Sequence, residues 1–415
     1  MRLLYFVQYF PPEKASGLSI VLDMLEGFAE HGWKVDVYIP TPTRGVSDDV
    51  RNEYAKKRIE RRFDGKLTIH RMHLYREGTR MLQRTIRYCI FSMQCLLRGL
   101  LVPADAIFTG GGPPTQGIVA GLIYKWTKKR VIYNPQDLFP DSLVISGAAS
   151  EMSKIVRIGR AMERFSYDNA DVIITITEDM ADNIRSKTKN PDKVCVIRNW
   201  VDTDKIHPVI RKENELFDEL ALPRDKFYVT YAGNIGMMQG IETIIFAAEQ
   251  LQEMSNIQFV LFGNGSEEAN IRCMIEEKQL LNIQLFPFQS AERVSEVYSL
   301  GDVSIVSCKP GTGSVGMPSK TWTIMATGTP IIASFDLGGE MERTIHEANC
   351  GFCVEAGNAR KLADAILELY YNSEQSVKMG MNARNYAEEY TCKEICVRQY
   401  IEEIEKTMKV CDLKE

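Results

Sequence analysis

Short apolar runs alternate with helical segments along this chain, and that alternation constrains the fold more than any other feature. Strands joined by helices form parallel sheets whose two faces are covered by those helices. The alternation occurs in both halves of the chain, so we expect two doubly wound α/β domains. The predicted strands lie at residues 3–8, 34–39, 67–73, 106–109, 131–134 and 172–177, and then at 228–232, 258–262, 283–286, 303–306 and 331–333.

The length of 415 residues also favours two domains, because single cores rarely grow beyond about 250–300 residues. A polar segment at 202–225, which contains Pro208 and Pro223, is predicted to be the linker and a hinge. We therefore expect domains over 1–205 and 206–390, with a helix at 391–415 packing back on the first. The charged stretch 42–66 is predicted to be mobile. Folds of this class bind ligands at the carboxyl ends of their strands.

Composition narrows the choice of partners and compartment. The net charge of −5 provides no basic excess for nucleic acid, so no nucleic-acid partner is expected. The N-terminus resembles a strand rather than a signal peptide, and no apolar run is long enough to span a bilayer, so we expect a cytoplasmic protein. Ten scattered cysteines suit a reducing compartment. Two cysteine pairs, Cys350 with Cys353 and Cys392 with Cys396, are separated by a helical pattern, and we predict no metal site.

The segment 311–333 has the strongest chemical signal. Three glycines precede Pro318 and Ser319, which are predicted to open a short helix with Ser319 as its cap. Lys320 then falls in the first helical turn, where the helix dipole disfavours a cation. A bound anion removes that conflict, because backbone N–H groups, the Ser319 hydroxyl and the Lys320 ammonium converge on it. The alternative is that Lys320 is an ordinary surface lysine. The position of the segment, late in an α/β chain and next to an apolar strand, favours the interpretation that it binds a phosphate.

Two further glycine-rich loops follow predicted strands. Residues 231–240 include Gly233, Gly236 and Gly240, more glycines than a tight turn needs, which favours close approach to a ligand. Residues 262–266 contain Gly263-Asn264-Gly265, a partial dinucleotide fingerprint that by itself is weak. Both loops are predicted to line a nucleotide pocket.

Acidic residues follow other strands. Asp137 and Asp141 flank an aromatic and a proline after the strand at 131–134, which favours substrate contact over simple helix capping. Glu340 and Glu342 are candidates for binding ribose hydroxyls, although a solvated helix start explains them equally well.

Taken in order, these motifs resemble family 4 glycosyltransferases of the GT-B fold over nearly the whole chain. The family markers are Phe10-Pro11-Pro12 with Gly17, Arg198-Asn199-Trp200-Val201-Asp202, the loop 233–240, Gly263-Asn264-Gly265, 326–330, and Gly338-Gly339 with Glu342. The sequence is most similar to the bacterial surface-polysaccharide branch that includes N-acetyl-fucosaminyl transferases, because of the residues 233–236 and Pro318-Ser319-Lys320.

The chain departs from the family pattern at charged positions. The family's Arg and Lys in the glycine loop fall at Asn234 and Gln239, its paired glutamates at Val315 and Thr323, and its first-domain histidine at Gln136. Ser319 and Lys320 therefore have to take over the charge of the donor's diphosphate. The resemblance implies three sets of site residues. These are catalytic Lys320, Asp137 and Asp141; donor-binding Gly17, Gly233, Asn234, Gly236, Gln239, Gly263, Asn264, Gly265, Phe288, Ser319, Lys320, Thr323 and Glu342; and acceptor-side Gln136 and Asn199.

The resemblance implies a metal-independent, cofactor-free glycosyltransferase. Its donor would be a nucleoside-diphosphate sugar, UDP-linked and N-acetylated, and its acceptor a polyprenyl-diphosphate-linked saccharide of capsule or O-antigen synthesis, with retention of configuration. The alternatives are a UDP-sugar epimerase of the same fold and a non-catalytic nucleotide-sugar-binding subunit. A dehydrogenase is disfavoured, because no full glycine fingerprint follows the first strand.

A predicted helix at 80–101 implies peripheral contact with the inner face of the membrane. Arg80, Arg84 and Arg87 are three or four residues apart, hence on one side, and Arg98 adds to the basic character. The helix has no acidic residue, and it is rich in leucine and isoleucine. Such a helix suits the headgroup boundary of an anionic bilayer, although an apolar helix in an α/β domain often packs on the sheet instead.

Overall fold

The computed structural model divides into two compact units, and it describes residues 1–13, 15, 17–78, 80–110, 112–313 and 316–412. Unit 1 comprises Met1–Arg198 with the chain from Cys396 onward, and unit 2 comprises Asn199–Ile395. The divisions therefore fall at 198/199 and 395/396, where the sequence predicted 205/206 and 390/391. Each unit is a doubly wound α/β domain.

Unit 1 contains an eight-stranded sheet with the order β3-β4-β2-β1-β5-β6-β7-β8. All neighbours are parallel except β3 and β4, which pair antiparallel at one edge. The chain reverses its direction of winding between β1 and β5, which places the topological switch point there. The strands are β1 (Arg2–Phe6), β2 (Lys34–Pro40), β3 (Ile59–Arg62), β4 (Leu67–Met72), β5 (Ala106–Gly110), β6 (Arg130–Asn134), β7 (Val172–Thr175) and β8 (Val194–Val196).

Helices of unit 1 cover both faces of that sheet. Helix α1 begins after Gly17, whose φ of 75° is the left-handed conformation that glycine adopts without strain. The unit 1 helices are α1 (Leu18–Glu30), α2 (Asp48–Lys56), α3 (Met81–Leu101), α4 (Gln116–Thr127), α5 (Asp141–Ile145), α6 (Lys154–Asp168) and α7 (Glu178–Arg185). The last helix of the chain, at Lys393–Asp412, also packs here, because Tyr400 is fully buried and its hydroxyl accepts a hydrogen bond from Asn134 Nδ2 at 3.0 Å.

The predicted mobile stretch 42–66 is instead structured, so that prediction is wrong. Ser47 caps α2 by accepting from the backbone N–H of Val50, and the first turn of α2 carries two aspartates. Strand β3 then pairs with β4 and supplies the antiparallel edge. High charge misled the sequence reading, because an edge strand and a surface helix both tolerate charged side chains.

Unit 2 contains a six-stranded parallel sheet with the order β11-β10-β9-β12-β13-β14. Apolar clusters lie on both faces, which explains why its strands are continuous apolar runs rather than alternating ones. The switch point lies between β9 and β12. The strands are β9 (Phe227–Ala232), β10 (Ile257–Phe262), β11 (Ile283–Phe286), β12 (Val303–Ser307), β13 (Ile331–Phe335) and β14 (Gly351–Glu355).

The helices of unit 2 lie between and after these strands. The unit 2 helices are α8 (Leu216–Glu219), α9 (Ile241–Gln250), α10 (Glu268–Glu277), α11 (Val294–Ser299), α12 (Lys320–Ala326), α13 (Glu340–Ala348), α14 (Ala359–Tyr371) and α15 (Ser373–Tyr390), and α16 is the final helix Lys393–Asp412.

The predicted linker and hinge at 202–225 belongs to unit 2, because the division between the units lies at 198/199, so the prediction of a linker there is wrong. Leu216 and Phe217 are buried in its core, and the Arg211 guanidinium forms an ion pair with Asp302 at 2.6 Å. Asn214 is fully buried and donates to the carbonyl of Glu296 at 2.7 Å. The prolines of the segment fix the course of a packed chain.

Candidate functional site

The carboxyl edge of the unit 2 sheet collects most of the predicted site residues. Loops that follow β9, β10, β12 and β13 all emerge at this edge, because the four strands are parallel. The switch point between β9 and β12 lies among them. Folds of this kind bind ligands in the crevice at such a point.

Lys320 is the first residue of α12, and its ammonium lies over an aromatic ring in this edge. Nζ is 4.0 Å from the centroid of the Tyr231 ring, a cation–π contact. A Cβ added at Gly233 would lie 2.3 Å from Nζ, so glycine at this position makes room for the ammonium. Within the described part of the chain, no carboxylate pairs with Lys320. Burial lowers the pKa of Lys320 to about 7, so the site holds a desolvated cation that lacks an acidic partner.

Two residues beside Lys320 share its helix. Thr323 lies one turn further along α12, three positions from Lys320 and hence on the same side. Ser319 is at the N-cap position and exposed, but its side chain makes no capping bond. The predicted cap is therefore wrong, because the Ser319 backbone already has helical angles, φ −59° and ψ −25°. Val315, the other position of the family's missing glutamates, is outside the described residues.

Asn234 and Gln239 meet above Gly236. Asn234 Nδ2 donates to Gln239 Oε1 at 3.4 Å, and a Cβ added at Gly236 would lie 2.5 Å from the same Nδ2. The structure therefore brings Gly233, Asn234, Gly236 and Gln239 together with Lys320 in one loop region. Asn234 and Gln239 have neutral amide side chains, whereas Lys320 beside Gly233 has a basic one.

The glycines at 263 and 265 serve the packing of two loops. A Cβ added at Gly263 would lie 2.0 Å from the Gly233 carbonyl oxygen, and one at Gly265 would lie 2.1 Å from the Ile235 carbonyl oxygen. The backbones are joined by hydrogen bonds, Gly233 N–H to the Phe262 carbonyl and Ile235 N–H to the Asn264 carbonyl, both at 2.9 Å. Close backbone packing thus explains these two glycines without a ligand.

Asn264 links the neighbouring loops through its side chain. Its Oδ1 accepts from the Phe288 backbone N–H at 3.1 Å, and its Nδ2 donates to Glu268 Oε2 at 3.0 Å. The Phe288 side chain, in the loop after β11, is 54% exposed. Asn264 therefore positions a loop that presents an exposed aromatic ring at the same edge of the sheet.

Asp336 is a residue that sequence reasoning missed. It directly follows β13, and its two carboxylate oxygens accept from the backbone N–H groups of Gly311 at 2.9 Å and Gly313 at 2.8 Å. The carboxylate thereby fixes part of the glycine loop that leads to Lys320. An acidic residue directly after a predicted buried strand was the sequence signal that could have identified Asp336.

Glu342 and Glu340 are both engaged at the start of α13. Glu342 Oε2 accepts from the Gly338 backbone N–H at 2.5 Å, which satisfies a donor that precedes the helix. Glu340 is buried and forms an ion pair with Arg343 at 3.1 Å. The helix-start interpretation of these glutamates is the one that the geometry supports.

The predicted acidic pair in unit 1 is divided between two environments. Asp137 is exposed and lines a cavity, and partial desolvation of its carboxyl group, together with the nearby Asp141 carboxylate, raises its pKa. Asp141 forms ion pairs with Lys187 at 2.6 Å and with Arg160, which hold its pKa below the usual value against the opposing effect of burial. The carboxylate of Asp141 is thus neutralised within the protein.

The remaining predicted residues occupy separate places. Gln136 Nε2 donates to Asn134 Oδ1 at 2.9 Å at the end of β6. Asn199 is the first residue of unit 2 and is half-buried. Gly17 begins α1 in unit 1. The cavity of unit 1, about 250 Å³ in volume, is lined by aromatic and polar side chains that the sequence did not single out, among them Tyr9, Arg44, Tyr88, Gln116 and Glu163.

Two family profiles cover most of the chain. Residues 212–386 match the family described as Glycosyl transferases group 1, and residues 19–200 match the Glycosyl transferase 4-like domain. The chain is 27% identical over 414 residues to the putative colanic acid biosynthesis glycosyl transferase WcaI of Escherichia coli K12, and the match spans 97% of this chain and 100% of that protein.

Solved structures share the fold over its full extent. Sucrose-phosphate synthase from Thermosynechococcus elongatus matches with a TM-score of 0.77 and 19% identity, covering 99% of both chains. Anabaena HepE in complex with UDP and glucose matches with a TM-score of 0.72 and 13% identity, covering 97% of this chain and 99% of HepE. At these identities the likeness concerns the fold, which is that of the GT-B enzymes.

Loop packing gives a stability prediction. We expect Gly265→Ala to lower the free energy of unfolding of the protein by about 1–3 kcal/mol, because the new Cβ overlaps the Ile235 carbonyl and forces the two backbones apart. Gly316→Ala is the matched control, since a Cβ there meets nothing within 4 Å. Urea unfolding of both variants measures the difference, and equal stability of the two would show that the loops are not packed as described.

Proposed function

This chain belongs to the GT-B glycosyltransferases, with a group 1 glycosyltransferase domain after a glycosyltransferase 4-like domain, and from that premise we propose a specific reaction. The enzyme transfers a sugar, N-acetylated, from a UDP-linked donor to a polyprenyl-diphosphate-linked saccharide during bacterial surface-polysaccharide synthesis. Unit 2 binds the donor, and unit 1 binds the acceptor. The name of the WcaI relative and the UDP bound to HepE support this assignment.

The observation that carries the proposal is the position of Lys320: this half-buried residue holds Nζ 4.0 Å from the centroid of the Tyr231 ring, and no carboxylate in the described part of the chain pairs with it. A partly desolvated cation without a counter-ion is unfavourable unless a ligand supplies the negative charge. A diphosphate at the carboxyl edge of the unit 2 sheet provides it. Phe288, exposed in the loop after β11, offers a face on which the uracil ring can stack.

The same cation assists the chemical step. The bond between the anomeric carbon and the β-phosphate oxygen breaks, and negative charge develops on the departing UDP. Lys320 and the backbone N–H groups of loop 233–240 stabilise that charge in a site of low dielectric. The acceptor hydroxyl bonds to the anomeric carbon on the face that the phosphate leaves, and its proton passes to a phosphate oxygen, so configuration is retained. No metal or cofactor takes part in this proposal.

Turnover should depend on Lys320 far more than folding does. We expect Lys320→Ala to unfold at an unchanged temperature and to lose about 100-fold in kcat, as for other single electrostatic contacts to a developing charge. The assay follows UDP release from a panel of UDP-sugars with lipid-linked acceptor, with and without EDTA. Wild-type turnover in the variant would remove Lys320 from the mechanism.

Sugar interconversion without acceptor would indicate an epimerase, and inhibition by EDTA reversed by magnesium would contradict the metal-free step.

Donor affinity should fall as pH rises above neutrality. The free Lys320 has a pKa near 7, and the diphosphate binds and stabilises its protonated form. Binding therefore takes up a proton, and the affinity for UDP declines by up to about tenfold per pH unit between roughly pH 7 and 9. Isothermal titration calorimetry in buffers of different ionisation heat measures the uptake. Lys320→Met should bind UDP weakly with little pH dependence, whereas a pH-independent wild type would contradict this role.

The acceptor's lipid carrier requires access to a membrane surface, and α3 offers the surface for it. An apolar stripe runs along its solvent side, with Leu82 70% exposed at one end and Leu101 76% exposed at the other. From Leu82 to Leu101 the stripe is about 29 Å long, at a rise of about 1.5 Å per residue. The stripe consists of Leu82, Ile86, Ile90, Met93, Leu97 and Leu101. Searched over the described residues, the structure has no helix with the length and apolar character to cross a bilayer.

One arginine of the predicted basic face is inside the protein. Arg87 is 1% exposed and donates to the backbone carbonyls of Tyr75 and Thr41, so its assignment to the surface is wrong. It lies on the core-facing side of α3 with two buried residues that follow at four-residue intervals, Phe91 and Cys95. Arg80 and Arg98 remain exposed near the ends of the stripe, and α3 has no acidic residue. We propose that this face binds anionic bilayers.

Liposome sedimentation tests that surface. We expect the central part of the stripe to matter most, so Ile90→Glu combined with Leu97→Glu should abolish binding to vesicles that contain anionic lipid, because both substitutions place charge in the apolar boundary. Wild-type binding should weaken in high salt and with neutral vesicles. Thr85→Glu, at an exposed position on the same helix outside the stripe, is the control. Binding that the double variant retains in full would contradict the assignment.

A further inference from the structure

The cavity of unit 1 lies at the carboxyl edge of its sheet, around the switch point between β1 and β5. Residues that follow β1, β5 and β6 line it, including Gln8, Gly112 and Pro135. Its volume of about 250 Å³ is slightly below the range of roughly 300–1,000 Å³ typical of pockets for drug-sized ligands. The space suits one small ligand unit.

Gln116 is the feature of this cavity that packing does not explain. It is the first residue of α4, lines the cavity and is 1% exposed. Its Nε2 has only the Cys95 sulfur, at 3.9 Å, as a neighbour, and its Oε1 has no hydrogen-bond partner among the described residues. A buried amide in this state costs free energy that an apolar side chain of the same shape would not. Its presence therefore points to a ligand that completes its hydrogen bonds.

Two carboxylates in the cavity wall limit the kind of ligand that fits. Glu163 Oε1 accepts from Lys187 Nζ at 2.8 Å and from the Tyr167 hydroxyl at 3.2 Å. In the described part of the chain Glu163 Oε2 has no hydrogen-bond partner, and the nearest cation, Arg160 Nη1, is 3.5 Å away. Asp137, another acceptor, lines the same space. A phosphate or carboxylate ligand would place further acceptors beside these two carboxylates and supply no donor, which disfavours an anion in this space.

The rest of the wall defines the shape and polarity of the ligand. Five aromatic rings line the cavity, and they are Tyr9, Tyr88, Tyr133, Phe139 and Tyr167. The wall also contains one guanidinium, that of Arg44, which already forms an ion pair with Glu77 at 3.2 Å. Apolar ring faces together with the unpartnered amide oxygen of Gln116 match a neutral sugar, which has C–H faces and a rim of hydroxyl groups. Hydroxyls both donate and accept, so they satisfy the Gln116 amide in either orientation.

We propose that this cavity binds one neutral sugar unit, with the amide of Gln116 accepting from and donating to its hydroxyl groups. The statement that this sugar belongs to the acceptor rests on the proposed function. The statement that the cavity binds a sugar rests on the chemistry of its wall alone. The assignment makes Gln116 a specificity-determining residue of unit 1, separate from the donor-binding edge of unit 2.

Ligand-observed NMR with simple probes tests the proposal. The probes are methyl glycosides of glucose, galactose, mannose and fucose, with methyl glucuronide as an anionic counterpart. We expect millimolar binding of at least one neutral glycoside to the full chain and weaker binding of the glucuronide. Gln116→Leu should reduce that binding by about tenfold or more while thermal stability stays the same or rises, because an unsatisfied buried amide is removed.

The controls separate this proposal from the proposed function. Gln94→Leu is matched, because Gln94 Oε1 is also buried without a partner but the residue does not line the cavity, and this variant should bind as the wild type does. UDP binding should be unchanged in both variants. If no neutral glycoside binds the wild type, or Gln116→Leu and Gln94→Leu behave alike, the cavity is not a sugar site. Failure of the wild type to bind UDP or to transfer a sugar would instead overturn the proposed function alone.

Discussion

The desolvated ammonium of Lys320 is the constraint on which the unit 2 edge depends. Its position over the Tyr231 ring requires a residue without a side chain at Gly233 and a helix that begins at Lys320 itself. Burial lowers its pKa to about 7, which leaves it responsive to any anion that approaches. The amide side chains of Asn234 and Gln239 in the adjoining glycine loop are neutral, so the positive charge beside Gly233 comes from Lys320.

Around that lysine, backbone packing and backbone hydrogen bonds hold the loops in place. Gly263 and Gly265 allow two loops to touch main chain to main chain, and Asp336 binds two N–H groups of a third. Such rigidity suits the proposed reaction, because no reorganisation is then needed as charge develops on the leaving group. A glycine in these loops can therefore serve either the approach of a ligand or the packing of two loops. Only the contacts of each glycine in the structure distinguish the two roles.

The buried polar groups of unit 1 are of two kinds, some paired within the protein and one unpaired. Asp141 and Glu163 are held in a buried network with Lys187 and Arg160, whereas Gln116 is left with an unsatisfied oxygen beside a cavity. The charges of the first set are neutralised inside the protein. The unsatisfied amide of Gln116, in contrast, lowers the stability of the fold. That contrast is the reason to connect the cavity with binding rather than with folding.

The sequence alone determined the two doubly wound units, most strand positions, and Lys320 with its neighbouring glycine loops, because apolar periodicity and glycine placement are local properties of the chain. Only the tertiary structure decided that Arg87 enters the core while Arg80 stays outside, that Asp141 is neutralised, that Asp336 fixes the glycine loop, and that Gln116 faces a cavity. Each of these depends on a partner distant in sequence. Spacing shows which side of a helix a residue occupies, but what covers that side is set by the packing of other elements.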